Sequence, residues 1–540
     1  MRFSNKIIKI LLLYLFSAAL LFRYPLTNHP IGSDSFMNFA LAEAITESGH
    51  LPWFLHITSI IGIYPFSVCS GGLIHLSAFS QLTSLEMEYS LLVISQIYGL
   101  IGTFSIFMLM NQVSRNPFVA IIVAFIFSTS NVFKGWTTWD LSFRGSFIAV
   151  LPLFILFCFR LFNKENFEKK TINGIVCVSL LFMLMTIHKM FFYIPINLIF
   201  FALYFFVAPK IKMHLIMHKT FSISLLLFVS FFSILFSVSG YSFWDPSYNL
   251  YQYGDRAYFF QGQSVIVILL NMSIDYAIGL GIIFPFVALG IPAIIYSKKV
   301  KSDVLLAYFL ILPFLFILCD ASYVRTYIAP FLSIMIGLGV FFSFENLNLR
   351  KSSKLFFVLS ILFFSAVLPN FVVIRDTDDL TLEEHKFNKA HNAGIYIGHQ
   401  GDGGIVVYGE SRLIAAYSGK TTWSDGAMDL VINGIIDESF TNNFTYVESN
   451  LSFGDIMNDE GSIWETEDWV VGELGYFPGR HKLMLQELEV DSAYARNMLS
   501  IFDTNHAIFS IDTDKTVFFN STIENKYMTY DDSWNQIYFI

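Results

Sequence analysis

The stretch IGSDSFMNFALAEAITESGHLPW runs from Ile31 to Trp53 and follows directly on the first hydrophobic run of the chain. That position puts Asp34 at a membrane rim. From Ser35 to Ser48 the spacing predicts a short amphipathic helix, with Phe36, Phe39, Ala40 and Ile45 on one apolar stripe. Asp34 reads as its N-cap, and Gly49 with Pro52 as its stop. A carboxylate at the head of a helix lying along the interface can meet a lipid-linked substrate at headgroup depth. Capping alone would also account for the residue, because Asp is favoured at that position.

Working outward, the whole chain is built for a bilayer. It has 540 residues, 55% of them hydrophobic and 14% charged, with a mean hydropathy of +0.58. Apolar runs near membrane length recur, so the fold class is a polytopic α-helical membrane protein. Hydropathy gives about eleven spans, near 7–22, 91–110, 118–133, 146–162, 172–188, 190–208, 220–240, 264–296, 304–319, 327–344 and 355–374. The run 264–296 is long enough to hold a break near Asp275. Arg2, Lys6 and Lys9 precede the first span as in a signal peptide, but no small-x-small cleavage site follows, so the span is expected to be retained.

Charge divides the chain in two. Residues 1–374 carry 23 Lys and Arg against 14 Asp and Glu, whereas residues 375–540 carry 10 against 28. The expected domains are therefore a transmembrane body, 1–374, with external loops 23–90 and 241–263, and a soluble, acidic domain, 375–540. This balance argues against nucleic acid as a partner. One set of connections holds 17 basic residues, and the opposite set holds six: Arg23, Lys134, Arg144, Lys189, Arg256 and Arg325. The positive-inside rule then puts the N-terminus in the cytoplasm, and Asp34 and the C-terminal domain together on the external face.

That C-terminal domain reads as mixed α/β. Thr381 and Glu384 suggest a capping box for a helix through about Ile397. IVVY (405–408) reads as a strand, SRLIAAYS as a helix, and GKTT as a turn into a second strand. A helical pattern covers roughly 480–502, and apolar runs at 507–511, 516–519 and 536–540 suggest closing strands. Cys69, Cys158, Cys177 and Cys319 are the only cysteines; three lie in or beside apolar runs, so they encode neither a disulfide framework nor a zinc cluster.

Ionisable groups at membrane depth are costly and default to function or pairing. Here they gather on the external side. WTTWDLSFRG (136–145) carries Asp140 and Arg144, and His188 and Lys189 end the fifth span. The aromatic loop 241–263 carries Asp245, Asp255 and Arg256, and CDASYVRT (319–326) carries Asp320 and Arg325. Asp34 and Asp140 could act as a general base or hold a divalent ion such as Mg or Mn. Arg144, Lys189, Arg256 and Arg325 could bind a phosphate or diphosphate. The plainer alternatives are an Asp140–Arg144 ion pair four residues apart, a solvated Asp255–Arg256 pair, and an Arg325 that snorkels at a span end. No G-x-S-x-G, Walker A, G-x-G-x-x-G or HExxH motif is present.

A first span followed by a rim Asp, an amphipathic helix, then Gly and Pro-Trp resembles the GT-C glycosyltransferases. YPFSVCSGGLIHLSAF (64–79) is similar to the first-loop continuation of archaeal members, and IVVYGESRLIAAYSGKTTWSDGAMD (405–429) is similar to the tail of the oligosaccharyltransferase catalytic subunit. Where that subunit has WWDYG this chain reads VYGES, Val407 to Ser411, and the family's paired D-x-D is reduced to the single candidates Asp34 and Asp140. The resemblance implies a membrane enzyme that takes a sugar from a polyprenyl-phosphate (dolichol-type) carrier and delivers it, with inversion, to a glycan, lipid or protein acceptor on the external face. Asp34 would be the catalytic carboxylate of the first external loop and Asp140 that of the second. Three other readings stay open: block transfer of a glycan to protein, a carrier or flippase for a lipid-linked substrate, and a non-enzymatic anchor for the C-terminal domain.

Overall fold

The computed structural model describes residues 4–25, 27–49, 70–139, 141–162, 167–188, 279–281, 283–296, 322–346, 377–401, 404–408, 411–420, 422–424, 504–510, 527–531 and 535–539, with single helical positions at 190, 194, 353, 356, 359, 360, 362 and 363. These fall into two compact units, one of residues 1–28 and 92–377, the other of residues 29–91 and 378–540.

The first unit is helical. Helix α1 (Asn5–Leu21) starts at Ser4, whose hydroxyl accepts the Ile7 N–H. After α2 and α3, which belong to the other unit, come α4 (Met87–Ser114), α5 (Pro117–Thr129), α6 (Asn131–Lys134), α7 (Phe143–Phe162) and α8 (Phe167–Ile187). Among the described residues α9 (Phe286–Tyr296) and α10 (Ser322–Asn346) follow. Asn116 caps α5 through Phe118 N–H at 3.1 Å, and Pro117 occupies the first helical position, where its missing N–H costs nothing. Residues 118–129 of α5 are all buried, which makes this helix the centre of the unit. At Ser130 the backbone turns extended, and the chain bends by 60° into Asn131–Thr137.

Among the described residues four helices are long and apolar enough to cross a membrane: Met87–Ser114, Phe143–Leu161, Glu168–Ile187 and Thr326–Phe344; the bent pair around Ser130 makes a fifth if it counts as one span. Helix α8 exposes Ile172, Ile175, Val178 and Phe182, three and four residues apart, an apolar stripe of the kind that faces lipid. Helices α9 and α10 meet backbone to backbone, since a Cβ on Gly290 would strike the Met335 carbonyl and one on Gly339 the Phe286 carbonyl. Expected spans near 7–22, 91–110, 118–133, 146–162, 172–188 and 327–344 fall on α1, α4, α5–α6, α7, α8 and α10. Those at 220–240 and 304–319, together with Asp275, lie outside the described residues. Within 264–296 the chain does leave the helix, at Gly281 with φ 91°, before α9 begins. Cys158 and Cys177 are free thiols whose sulfurs lie 3.3 Å apart between α7 and α8.

The second unit joins two distant parts of the sequence. From the N-terminal part come α2 (Ser33–Ser48) and α3 (Ser70–Thr83). From the C-terminal part come α11 (Thr377–Gly398), β1 (Gly404–Tyr408), α12 (Ser411–Ser418), β2 (Thr422–Ser424), β3 (Thr504–Ser510), β4 (Tyr527–Asp531) and β5 (Asn535–Phe539). The sheet order is β2-β1-β3-β5-β4. Strands β2, β1 and β3 are parallel, with Ile405 opposite Thr422 and His506, while β5 runs antiparallel to both β3 and β4. A β1–α12–β2 crossover is the connection parallel strands require. Lys420 crosses back to donate its ammonium to the carbonyls of Gln400 and Gly401, just past the end of α11, where a cation suits the helix dipole.

Three sequence expectations for this unit are corrected. Helix α11 begins at Thr377, four residues before the Thr381–Glu384 pair, so that pair sits inside the helix and does not open it. Strand β4 was not expected from the sequence; Thr529 interrupts its Tyr527, Met528 and Tyr530, and Asp531 follows them, which hides the apolar run. Helix α2 opens at Ser33, with Gly32 (φ 81°) in the capping position, so Asp34 is its second residue and not its N-cap. Only glycine takes that φ readily, and Gly32 can therefore turn the entering chain while its carbonyl accepts Ser35 N–H at 3.1 Å. At the stop, Gly49 is left-handed (φ 68°) and bonded to Ile45 O, as expected, while Pro52 lies outside the described residues. Residues 480–502 and 516–519 lie outside the described residues.

Candidate functional site

Asp34 stands half-buried in the first turn of α2, where the helix dipole favours an anion. The stripe that follows it does not lie on lipid. Phe36, Phe39, Ala40, Leu41 and Ile45 are buried, and α2 packs on α12 and α3. The side chains that cover it come from the C-terminal part of the unit. The Phe39 ring meets Tyr417 edge-on at 5.3 Å, and Phe36 lies 6.0 Å from Phe387. Just upstream of Asp34, His29 stacks flat on Phe387, with centroids 3.5 Å apart and planes within 6°. Its Nδ1 is 2.8 Å from Pro30 O, which can only accept, so Nδ1 carries the proton.

His391 completes the cluster, edge-on to Tyr417 at 4.4 Å. Burial holds its imidazole below the ordinary range; a hydrogen bond with Asn392 opposes this in part, and His29 adds a smaller lowering. Tyr417 Oη is buried without a well-formed hydrogen bond, facing the Glu88 carboxylate. Burial first, and that carboxylate second, push the phenol far above its usual range, so it stays neutral. Behind the stripe, the hydroxyl of Ser77 on α3 donates to Thr46 Oγ1 at 2.8 Å, and Thr46 in turn donates to Ala42 O. Glu43 is raised by burial and then by Glu47, one turn on.

The first unit holds the cations. Arg144, the second residue of α7, lies half-buried with its guanidinium 5.4 Å from the Trp136 ring. Arg325 falls in the first turn of α10. Asp140, Lys189 and Arg256 lie outside the described residues. The buried cation that the sequence reading passed over as a site residue is Arg23, which is fully enclosed. Its Nε donates to Thr137 Oγ1 at 2.8 Å, and its Nη1 to Ala19 O and Ser128 Oγ at 2.9 and 3.2 Å. The plane lies 4.8 Å from the Phe133 ring, and Gly99 leaves the room for it. The available signal was its place at the end of the first span, where an arginine needs a reason. Among the described residues no three His, Cys, Asp or Glu side chains gather at metal-binding distance.

In fold the chain is similar to two kinds of solved structure. ArnT from Cupriavidus metallidurans, bound to undecaprenyl phosphate, superposes with a TM-score of 0.54 at 10% identity, over 98% of this chain and 97% of that one. The archaeal oligosaccharyltransferase AglB of Archaeoglobus fulgidus, with an inhibitory peptide and a dolichol-phosphate, gives 0.50 at 13% identity over 97% and 73%. The same archaeal enzyme with Zn and sulfate gives 0.51 at 14% identity over 95% and 69%. No protein-family model matches the sequence, and no curated protein does.

Proposed function

We propose that this chain is a multi-pass membrane glycosyltransferase that moves a sugar from a polyprenyl-phosphate carrier to an acceptor on the external face. The observation that carries the reading is Asp34: a half-buried carboxylate in the first turn of the helix after the first span, in a chain whose fold matches ArnT over 97% of ArnT's length. The solved neighbours hold undecaprenyl phosphate and dolichol-phosphate, which supports the class of carrier.

In this mechanism Asp34 accepts the proton of the attacking hydroxyl or amide. The nucleophile forms its bond to the anomeric carbon from the face opposite the carrier, so the configuration inverts. The anomeric carbon–oxygen bond to the phosphate breaks, and polyprenyl phosphate leaves with the electron pair. Cations aimed at the phosphate stabilise the charge that grows in the transition state. Arg144 and Arg325 are assigned this role, with Lys189 and Arg256, and Asp140 is assigned as the second carboxylate. A hard divalent ion would take carboxylate oxygens from Asp34 and Asp140 and would neutralise phosphate charge.

A single sugar is favoured over a glycan block, because Val407 to Ser411 read VYGES and lack the Trp-Trp-Asp of oligosaccharyltransferases. The peptide held by the archaeal enzyme keeps transfer to protein as the second reading. The test compares lipid-linked and acceptor-linked glycans in cells that make wild-type or Asp34→Asn protein at equal levels. Accumulation of a lipid-linked sugar together with loss of its acceptor-linked form is the expected result. Unchanged glycans, in cells where the wild type is needed for another phenotype, would remove the enzyme reading and leave the carrier or the anchor.

A further inference from the structure

We propose that Phe387 and Tyr417, two side chains of the C-terminal region, are positioning residues that set where Asp34 stands. The inference rests on the reading of Asp34 as the base, and it comes from how the head of α2 is held. Five residues before Asp34, His29 lies flat on Phe387 at 3.5 Å. Two and five residues after it, Phe36 and Phe39 both meet Tyr417, at 6.5 and 5.3 Å, and Phe36 also meets Phe387 at 6.0 Å. Phe387 therefore grips the chain on both sides of the carboxylate, and Tyr417 holds the side that follows it.

The two rings also fix each other. They meet edge-on at 5.8 Å, and His391 on α11 touches both, at 5.4 and 4.4 Å. Gly394, one helical turn further along α11, leaves the space into which Tyr417 fits; a Cβ there would lie 3.2 Å from Tyr417 Cβ. Packed aromatic faces leave a helix little freedom to roll, and a catalytic group displaced by about 1 Å can lose on the order of a hundredfold in rate. The ring of Tyr417 does this work, since Phe36, Phe39, Phe387 and His391 all meet it, whereas its hydroxyl faces the Glu88 carboxylate without a well-formed bond and touches none of them. Removing the hydroxyl alone should leave the position of α2 unchanged.

The experiment reads position and transfer separately. In full-length protein with Cys69, Cys158, Cys177 and Cys319 replaced by Ala, Asp34→Cys is alkylated with N-ethylmaleimide and the rate is measured. Adding Tyr417→Ala or Phe387→Ala should shift that rate by about threefold or more, as local order is lost. Tyr417→Phe should leave it unchanged. So should Thr46→Val, which breaks the bond to Ser77 about 18 Å along the same helix. Equal rates in all variants, or an equal shift with Thr46→Val, would overturn the inference. If Tyr417→Ala does not accumulate folded, Tyr417→Leu, which keeps bulk but not the flat ring, carries the same test.

Transfer is then followed in the native-cysteine protein by the glycan comparison described above. Tyr417→Ala should reduce it at least about tenfold and Tyr417→Phe should preserve it. If Asp34→Asn transfers normally, the role of Asp34 as base falls while the alkylation result stands. If Asp34→Asn is inert but Tyr417→Ala and Phe387→Ala transfer at the wild-type rate, the positioning inference alone falls.

Discussion

In the helical unit, Arg23 is enclosed by Ala19, Ser128, Thr137 and Phe133 and is bonded through neutral oxygens. In the other unit, Tyr417 is enclosed by Phe36, Phe39, Phe387 and His391, and its only polar atom faces a carboxylate without a well-formed bond. The first arrangement uses hydrogen bonds to tie together elements far apart in sequence, from α1 to the turn at Gly135–Thr137. The second uses flat apolar contact to tie the start of the chain to its end. The difference teaches where each unit is vulnerable. A guanidinium fork has few substitutes, whereas an aromatic cluster tolerates loss of a hydroxyl but not loss of a ring.

The largest effect should come from breaking the first arrangement. Arg23→Leu removes the donors to Thr137 Oγ1, Ser128 Oγ and Ala19 O and replaces a planar fork by a branched apolar chain, so it should cost about 3 kcal/mol or more. Arg23→Lys keeps the charge but cannot reach the same acceptors together, and should fall between it and the wild type. Thermal unfolding in detergent orders the three proteins. Equal midpoints for Lys and wild type would show that charge and not geometry is what this place requires.

Next comes the aromatic cluster. Phe387→Ala removes a ring that is only 8% exposed and contacts His29, Phe36, His391 and Tyr417, so about 2–4 kcal/mol should be lost. Limited proteolysis should then cut between residues 378 and 420 sooner than in the wild type. A smaller effect, about 1 kcal/mol, is expected of Thr46→Val, which takes the acceptor from the Ser77 hydroxyl while leaving α2 its apolar face. A loss as large as that of Phe387→Ala would place the main grip on α2 at α3.

How far this contrast was legible in the sequence differs between the units. Six expected spans coincide with helices because 3.6-residue burial and lipid exposure both write themselves as apolar runs. β1, α12 and β2 were legible for a similar reason, since IVVY, SRLIAAYS and the turn at Gly419 carry local propensity. The stripe of α2 was legible too, but not what covers it. Phe36 and Phe39 pack on residues about 350 positions away, and amphipathicity does not tell lipid from protein as the apolar partner. Arg23 was hidden among topological charges, because its role depends on Thr137, Ser128 and Gly99, none of which carries a motif. Asp34 was placed at the head of the helix but two positions out of register, since Gly32 takes the capping position that Asp34 was expected to fill.

The mildest test of the contrast is pH. Burial, with His29 acting the same way, holds His391 below its ordinary value of 6.5 in the folded protein. Between the folded value and 6.5 the unfolded chain binds more protons than the folded one, so stability rises with pH across that window. Above it the contribution of His391 is flat, and acidification from neutral pH should loosen the aromatic cluster. Glu43 acts with the opposite sign at lower pH: its raised value in the fold favours the protonated form, so its contribution falls as pH rises through the carboxylate range. The Glu43 window opens upward from 4.5 and the His391 window downward from 6.5, the ordinary values of the two groups. His391→Gln should therefore flatten the stability profile just below pH 6.5 and leave the more acidic limb in place. Measured as the unfolding midpoint against pH, a profile that keeps its slope in that variant would show that His391 is not the group that sets it.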